Sequence, residues 1–454
     1  MYMGDRKSLQ KQNGVIGMKD ESVLYWIWLA ERCGIASREF VRLYEKYQDP
    51  FDLYRMDTEE IERIEGISNT LKAKLFDKSL VSSYDILKYC KSKRVDILTY
   101  KDERYPSRLK NIQDPPVLLY VLGNLPNMDN RLCIGVVGTR KMSEYGRDTA
   151  YTISYELAAA RAVIVSGMAL GIDGVAACGA LSAGGQTVAV LGCGVSVVYP
   201  KEHTRLMEEI AKHGAVVTEY PPFESPRGYN FPKRNRIISG LCQGLLVVEG
   251  SAKSGSLITA KLAIEQGREV FALPGKINES NSEGPNELIK NGASVALSAD
   301  DVVTNFDFLY HDCIDYKRLR IAKTEGADVD RAIVKYKVGH IYSRDNSFKP
   351  EKIEASEPIA VPNKQRKSAP TPVSEAETVE IKEKIERPDR SAELLAGLDD
   401  VSRRVYECLP LDRAVSPDAL SVDGAGIGDV ITALTMLEIS GLAESLPGGL
   451  YIRK

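Results

Sequence analysis

The sequence lacks the patterns that mark disulfide-stabilised, zinc-binding and membrane-spanning proteins. Its eight cysteines are scattered without a C-x-x-C pair, and its four histidines do not stand at metal-ligand spacing. This distribution predicts reduced thiols, no disulfide framework and no metal site. There is no apolar run of about 18 residues and no recognisable signal peptide. The pattern therefore predicts a soluble cytoplasmic protein with no membrane partner.

A global excess of positive charge is also absent, because 60 Lys and Arg residues face 63 Asp and Glu residues. Any attraction for a polyanion must then come from local clusters. One such cluster is the segment 225–236, which holds four basic residues and no acidic one. We expect Pro232 to set an extended entry and Arg234 to begin a helix whose inward face is Ile237, Ile238 and Leu241. Cations at a helix start oppose the helix dipole, so the segment predicts a bound anion.

At 454 residues the chain is expected to form about two to four domains. The patterns predict a flexible leader at 1–20, a helical domain at 21–95, an α/β core at 96–307, a poorly ordered region and linker at 308–391, and a winged helix at 392–454. Within the helical domain, "EIERIEGISNTLKAKLF" has a helix-hairpin-helix layout. Its turn could offer backbone N–H groups to a phosphate, or the unit could mainly pack and mediate contacts.

Seven short Val/Ile/Leu runs lie between Cys133 and Asp307, separated by helix-length segments. The runs are CIGVVG, VIVSG, TVAVLG, AVVTEY, LLVVEG, EVFALPG and ASVALS. Runs that are apolar on both faces are typical of a mainly parallel sheet covered by helices. Ligands of such sheets bind beyond the carboxyl ends of the strands.

The residues after three of these strands are suited to phosphate oxygens. Gly138, Thr139 and Arg140 follow the first run, where Ser143 could cap the next helix. Ser166 and Gly167 follow the second, and Asp173 could then brace the turn, bind a basic neighbour or cap a helix. The Gly/Ser turn after the fifth run, with Ser254, Gly255 and Ser256, would form a phosphate cradle. An ATPase is disfavoured, because Ser256 stands where a P-loop needs Lys.

No catalytic constellation emerges from the sequence. Activated nucleophiles, metal clusters and paired carboxylates tied to the cradle are all missing, so several phosphate cradles without a reactive group predict binding of a polyanion. The remaining candidates are Lys233, Asn235 and Arg236 beside Arg234. Tyr229 and Phe231 lie next to these cations, where they could stack on bases or belong to the core.

The motifs GVVGTRKMSEYG, SGMALGID, VLGCGVSVVYP, FPKRNRIISGL, EGSAKSGSLITAKLAIEQGREVFALPG and GPNELIKNGA, in this order, resemble the DprA (Smf) family of DNA-processing proteins. The likeness covers about residues 100–301. It implies an extended Rossmann-like core with a helical sterile-alpha-motif-like domain before it and a winged helix after it. It also implies a cytosolic homodimer that binds and protects single-stranded DNA, displaces or coexists with single-strand binding protein, and loads the RecA recombinase during natural transformation, without enzymatic turnover or cofactor.

Carried onto this chain, the resemblance places the DNA pocket on twelve residues: Gly138, Thr139, Arg140, Ser166, Gly167, Lys233, Arg234, Asn235, Arg236, Ser254, Gly255 and Ser256. Two features depart from the family. Leu170 stands where many members have Lys, which predicts weaker or differently distributed binding. Residues 395–454 hold nine acidic and five basic residues, and GDVITALTMLEISG has no Lys or Arg. This composition predicts a winged helix that contacts protein rather than DNA.

Two enzymatic alternatives stay open on the sequence. A nucleotide phosphoribohydrolase of the lysine-decarboxylase-like kind would need a PGGxGTxxE motif, and only EGSAKSGSLITA stands in the comparable place. An NAD-dependent oxidoreductase would need GCGVSV to bind the cofactor. That segment has Gly192 and Gly194, but Val197 occupies the position of the third glycine.

Overall fold

A computed structural model of the protein describes residues 18–326, 328–338, 400–410, 415–417, 420, 422, 427–439, 442–446 and 450–453. The predicted linker at 349–390 and residues 1–17 of the predicted leader lie outside the described residues. The chain divides into two compact units at about residue 352.

Six helices open the first unit, as the helical periodicity predicts. Trp26, Trp28, Phe40 and Leu43 are buried in the core that these helices share. Because Leu118 and Tyr120 of a neighbouring strand belong to the same cluster, the helices and the sheet edge form one packed body. The helices are Met18–Cys33, Arg38–Lys46, Pro50–Arg55, Thr58–Glu62, Asn69–Phe76 and Val81–Lys93.

The helix-hairpin-helix turn between Thr58–Glu62 and Asn69–Phe76 already has an internal anion. The carboxylate of Glu39 accepts hydrogen bonds from the backbone N–H of Ser68 and from the Ser68 hydroxyl. Ser68 in turn caps its helix by accepting from Leu71 N at 3.2 Å. The position that a phosphate would take at this turn is thus held by a side chain of the protein. The packing role is the one that the geometry supports.

The centre of the first unit is a nine-stranded sheet. All seven predicted runs form strands, and their pairings are parallel. The sheet order is β1-β2-β6-β5-β4-β3-β7-β8-β9. The strands are β1 Val95–Thr99, β2 Leu118–Gly123, β3 Cys133–Val137, β4 Val163–Ser166, β5 Thr187–Val190, β6 Ala215–Thr218, β7 Gly244–Val247, β8 Glu269–Ala272 and β9 Ser294–Val295.

Alternate strand residues point into two cores on opposite faces of the sheet. Ile134 and Val136 of β3 join one core, while Cys133 and Val137 join the other. Three helices that connect the strands from β3 to β6 lie on the first face, and two that flank β7 lie on the second. These five helices are Glu144–Ala159, Ile172–Ser182 and Thr204–His213, then Asn230–Leu241 and Gly255–Glu265.

The order of the strands reverses between β3 and β7. From β3 the chain adds strands in one direction through β4, β5 and β6, and from β7 it adds β8 and β9 in the other. The loops after β3 and β7 therefore lead to helices on opposite faces and diverge. In open α/β sheets this divergence leaves a crevice beyond the carboxyl ends of the two strands.

The sequence analysis missed two antiparallel strands. β1 pairs with β2, and β2 pairs with β6, both antiparallel. They extend the parallel sheet at one edge. The connecting segment contains the short helix Ser107–Lys110, whose Leu109 is fully buried against the second face.

The expectation that the chain is poorly ordered from residue 308 is wrong as far as residue 338. This segment forms helices whose apolar side chains, among them Leu319, Ile333 and Tyr336, complete the first core. Few apolar residues contribute per helix, which explains the weak sequence pattern. The helices that follow β8 are Glu283–Lys290, Ala299–Asn305, Asp307–Tyr310, Tyr316–Glu325 and Val329–Tyr336.

The second unit contains the parts of the predicted winged helix that the structure describes. Helices Asp400–Cys408 and Ile427–Ile439 pack around Val405, Leu434 and Leu437. Strands β10 Ala443–Leu446 and β11 Leu450–Arg453 form the antiparallel hairpin of the wing. Two of the five residues of the short helix expected at SPDAL, 418 and 419, lie outside the described residues.

Candidate nucleic-acid interface

An open cleft of ≈ 630 Å³ lies at the carboxyl ends of β3, β4 and β7, where the strand order reverses. Its walls come from the loops after these strands and from the first turns of two helices. Eight of the twelve predicted residues line it: Gly138, Thr139, Arg140, Arg234, Asn235, Ser254, Gly255 and Ser256.

The loop after β3 is held by the strand next to it. Thr139 donates its backbone N–H to the carbonyl of Glu249 at 2.7 Å. The Glu249 carboxylate accepts from the Ser143 backbone at 3.0 Å and from the Ser143 hydroxyl at 2.5 Å. Ser143 also caps the following helix, as predicted, by accepting from Gly146 N. Burial raises the pKa of Glu249, and the hydrogen bonds from Ser143 oppose that rise. These contacts fix the backbone and leave the Arg140 side chain exposed at the cleft.

The loop after β4 approaches this backbone so closely that it requires glycine. Gly171 has a φ of +80°, and a Cβ there would lie 2.4 Å from the Thr139 carbonyl oxygen and 2.8 Å from Arg140 Cα. A left-handed φ costs a residue with a side chain about 1 kcal/mol or more, and the backbone contact leaves no space. Gly171 therefore sets how near the two loops lie.

Arg234 is a buried part of the floor of the cleft, and its guanidinium binds the protein's own carbonyl groups. Its guanidinium donates to Gly167 O at 2.8 Å and to Val190 O. Asp173 accepts from Gly167 N at 3.1 Å, and its charge favours the charged form of Arg234. Burial raises the pKa of Asp173 while Arg234 opposes the rise, and burial lowers the pKa of Arg234. Asp173 thus braces the turn, which is one of the roles that the sequence allowed, and its charge favours the charged form of Arg234.

Gly167 and Ser166 do not line the cleft. A Cβ on Gly167 would stand 2.3 Å from Arg234 Nη1, so the absence of a side chain there makes room for the guanidinium. Ser166 is buried and donates its hydroxyl to Val136 O at 2.7 Å. Both residues shape the cleft from behind.

The turn after β7 forms the third wall. Ser254 caps the helix Gly255–Glu265, and its hydroxyl lies 2.8 Å from the Ser256 hydroxyl. Asn235 of the facing helix donates its side-chain N–H to Gly255 O at 3.4 Å. The N-terminus of this helix, with two hydroxyl groups, therefore faces the cleft as the predicted cradle requires.

Aromatic rings and cations alternate along the rim. Phe231 lies 5.3 Å from the Tyr199 ring, and the Arg140 guanidinium carbon is 5.5 Å above the Phe231 ring. Further out, Tyr229 is 57% exposed and has the exposed Lys233 ammonium 5.7 Å from its ring centroid. Lys233 is a predicted site residue that lies beside the cleft and does not line it. Such pairs present flat apolar faces beside positive charge, which is what stacked bases and phosphates need.

The segment 225–236 differs from its prediction in two ways. The helix begins at Asn230, so Pro232 lies in the first turn, where its missing N–H has no intrahelical partner to lose. Ile237, Ile238 and Leu241 face inward as predicted.

Arg236 is the second correction, because it does not line the cleft. Its side chain is 4% exposed and pairs with the equally buried Glu219 at 2.5 Å and with Asp114 at 3.4 Å. Burial raises the pKa of Glu219, while Arg236 opposes the rise. The backbone of Ala36, in the N-terminal helical region, also hydrogen-bonds to Glu219. Arg236 therefore neutralises a buried carboxylate next to the helical region and is not free for a phosphate.

Tyr199 is a cleft residue that the sequence analysis did not select. It lies in the loop after β5, and its place after a strand end was the available clue. Gly192 of the same loop lies against Phe231, since a Cβ there would be 2.9 Å from the ring. Gly194 lies against the carbonyls of Pro221 and Pro222. The glycines of the incomplete dinucleotide motif thus allow close packing within the protein.

Among the described residues, no cluster of His, Cys, Asp or Glu could hold a metal ion. Asp173 is the one carboxylate that lines the cleft within the described part of the chain, and it is engaged by Arg234 and Gly167 N. In the described part, we find no helix long and apolar enough to cross a membrane.

The fold and the cleft define a Rossmann-like protein with a cation-lined and aromatic-lined crevice at its topological switch point. Residues 96–307 match the family described as DNA recombination-mediator protein A, and residues 389–449 match the DprA winged helix domain. The DNA processing protein DprA of Bacillus subtilis is 42% identical over 208 residues, which are 46% of this chain and 70% of that protein. The chain belongs to the DprA (Smf) family of DNA-processing proteins.

Solved structures are also similar. The structure of DNA processing protein A from Streptococcus pneumoniae is 35% identical, covers 62% of this chain and 97% of that chain, and has a TM-score of 0.54. A structure that describes the single-stranded DNA-binding mode of DNA processing protein A from Helicobacter pylori is 31% identical and covers 47% of this chain and 95% of that chain, with a TM-score of 0.43.

Proposed function

We propose that the cleft binds the backbone of single-stranded DNA without catalysing a reaction. The observation that carries the proposal is Arg140 over the ring of Phe231 in a cleft that a helix N-terminus also lines, with the exposed pair Lys233 and Tyr229 beside that cleft. Single-strand binders combine a positive groove with aromatic stacking platforms in this way. A duplex buries its bases in the stack, so exposed rings favour a single strand.

The geometry favours holding over turnover. Asp173, the carboxylate at the cleft, already serves Arg234 and the turn at Gly167. A phosphoribohydrolase needs a carboxylate free to act on the ribose, so we propose that none of its chemistry occurs here. Release of free base from a nucleoside monophosphate would contradict this part of the proposal.

A salt titration tests the binding itself. We expect sub-micromolar affinity for poly-dT at low salt, because several phosphates would be neutralised by the cleft. The logarithm of the binding constant should fall linearly with the logarithm of the salt concentration, with a slope of about −0.7 for each phosphate contacted. Fluorescence anisotropy of labelled poly-dT measures this slope. Binding that ignores salt would contradict a phosphate-tracking site.

From the family we further propose a homodimer that protects single-stranded DNA, acts beside single-strand binding protein and loads the RecA recombinase. We also propose that the winged helix contacts protein, because its helix Ile427–Ile439 carries Asp429 and Glu438 and no Lys or Arg. Light scattering and a pull-down with the host recombinase test the dimer and the loading step. A monomer that retains no recombinase would contradict both.

A further inference from the structure

A second cation-lined cleft, of ≈ 480 Å³, lies at the amino ends of the parallel strands, on the side of the sheet opposite to the first cleft. The residues that line it precede strands instead of following them. Arg131 precedes β3, Arg161 precedes β4, Gln186 precedes β5 and Gly214 precedes β6. We call this second cleft the amino-edge cleft, because it lies where the parallel strands begin. About one strand length, roughly 15 Å, separates it from the DNA cleft at the strand ends.

Positive charge exceeds negative charge at the amino-edge cleft. Arg131, Arg161, Lys212 and Arg318 line it. Asp315 lies 3.3 Å from Arg161 and 3.9 Å from Arg318, and Glu209 lies 2.8 Å from Lys212. Arg131 has no carboxylate within 4.0 Å among the residues described. Four cations thus share two carboxylates in the described surroundings of the cleft.

The cleft also contains an unsatisfied polar group. The side-chain oxygen of Gln186 is buried and has no hydrogen-bond partner in the described structure. Because Gln186 lines the cleft, its side chain adds a polar group to the surface that the four cations share. Beside it, Gly184 has a φ of +66° and no atom within 4 Å of where a Cβ would stand, which leaves one wall open.

We propose that the amino-edge cleft binds a phosphate group, as a second anion site separate from the DNA cleft. Arginine guanidinium groups suit phosphate oxygens because they donate two parallel hydrogen bonds, and the Gln186 amide adds a further polar contact. The phosphate can belong to a free nucleotide or to the backbone of DNA, since both present the same oxygens.

Equilibrium dialysis with labelled inorganic phosphate and with dTMP tests the site. The full chain carries Arg140→Ala and Lys233→Ala, so that phosphate does not report on the DNA cleft. We expect saturable binding of both probes, weakened at least tenfold by adding Arg131→Gln and Arg318→Gln. The control adds Arg63→Gln and Lys290→Gln instead, two exposed cations on other helices. Equal loss of binding in the two sets, or no saturable binding, would overturn the proposal.

The affinity for (dT)20 distinguishes the two sources of the phosphate, a free nucleotide and the DNA backbone. It is measured in the full chain with Arg140 and Lys233 unchanged. If Arg131→Gln and Arg318→Gln weaken (dT)20 binding and reduce its salt slope by about 1.4, the DNA backbone continues into the amino-edge cleft. If they abolish only phosphate and dTMP binding, the site takes a small phosphate compound.

Lys212→Gln changes an exposed side chain and gives a second variant should the arginine pair affect folding. We expect it to weaken binding of phosphate and dTMP twofold to fivefold. Wild-type affinity of Lys212→Gln for every probe would overturn the proposal.

Discussion

Replacing the exposed cations in the cleft and on its rim, Arg140→Ala with Lys233→Ala, is expected to weaken binding of single-stranded DNA about 100-fold. A hydrogen bond to a charged group contributes about 1.5 kcal/mol or more, so two contacts correspond to about two factors of ten. The salt slope should also become shallower by about 1.4, because two phosphates are no longer neutralised. Anisotropy titrations of poly-dT at several salt concentrations measure both quantities.

The matched control for this pair is Arg63→Ala with Lys290→Ala. These side chains are about three-quarters exposed, do not line the cleft, and change the net charge by the same amount. We expect affinity within about twofold of wild type for the control. Equal losses in the two pairs would mean that general charge, and not the cleft, attracts the DNA.

Arg236→Met is expected to destabilise the first unit by about 3–5 kcal/mol. The change leaves Glu219 buried without its counter-charge, and breaking one side of a buried ion pair carries a cost of that size. Urea unfolding followed by tryptophan fluorescence measures it, because Trp26 and Trp28 are the two tryptophans of the chain and both are buried in this unit. DNA affinity under folding conditions should change by less than about threefold. A large loss of DNA affinity in a stable Arg236→Met protein would show that Arg236 contacts DNA and would contradict its purely structural role.

The loss in free energy of unfolding caused by Arg236→Met should depend on pH. Burial already raises the pKa of Glu219 above its unfolded value, and losing Arg236 raises this pKa further. Between the pKa of Glu219 in the unfolded state and its raised pKa in the folded state, the folded state binds more protons. The free energy of unfolding therefore falls as pH rises through this range. We expect a smaller deficit at pH 5 than at pH 8. Adding Glu219→Gln removes the carboxylate and should recover at least half of the loss with little pH dependence.

The sheet could be predicted from the sequence because its strands are buried on both faces. Runs such as "TVAVLG" need no partner to be recognised, and the rule that ligands lie beyond strand ends led from them to Thr139, Arg140 and Ser254. β1 was missed because it is the edge strand, where mixed burial weakens the pattern. β2 is mostly buried, and its apolar run LLYVLG stands in the sequence as a signal that could have predicted it. The start of the helix at Asn230 was missed because proline is tolerated in a first helical turn.

The burial and the contacts of each basic residue in "FPKRNR" could not be predicted from the local sequence. Lys233 is exposed, Arg234 holds two carbonyls beneath the cleft, and Arg236 neutralises Glu219. Glu219 lies 17 residues away in the chain, and Asp114 lies much further still. These partners become neighbours only when the sheet forms, so three basic residues within one turn of helix acquire three different roles.

Photo-crosslinking tests the central claim most directly. A single-stranded oligonucleotide that contains 5-iododeoxyuridine is irradiated with the full chain, and the attached peptides are identified by mass spectrometry. If the cleft holds single-stranded DNA, crosslinks should concentrate on Phe231, Tyr199 and Tyr229, and Arg140→Ala with Lys233→Ala should reduce them in parallel with affinity. Crosslinks confined to aromatic residues outside the cleft, such as Tyr406 and Tyr451 of the second unit, would contradict the account.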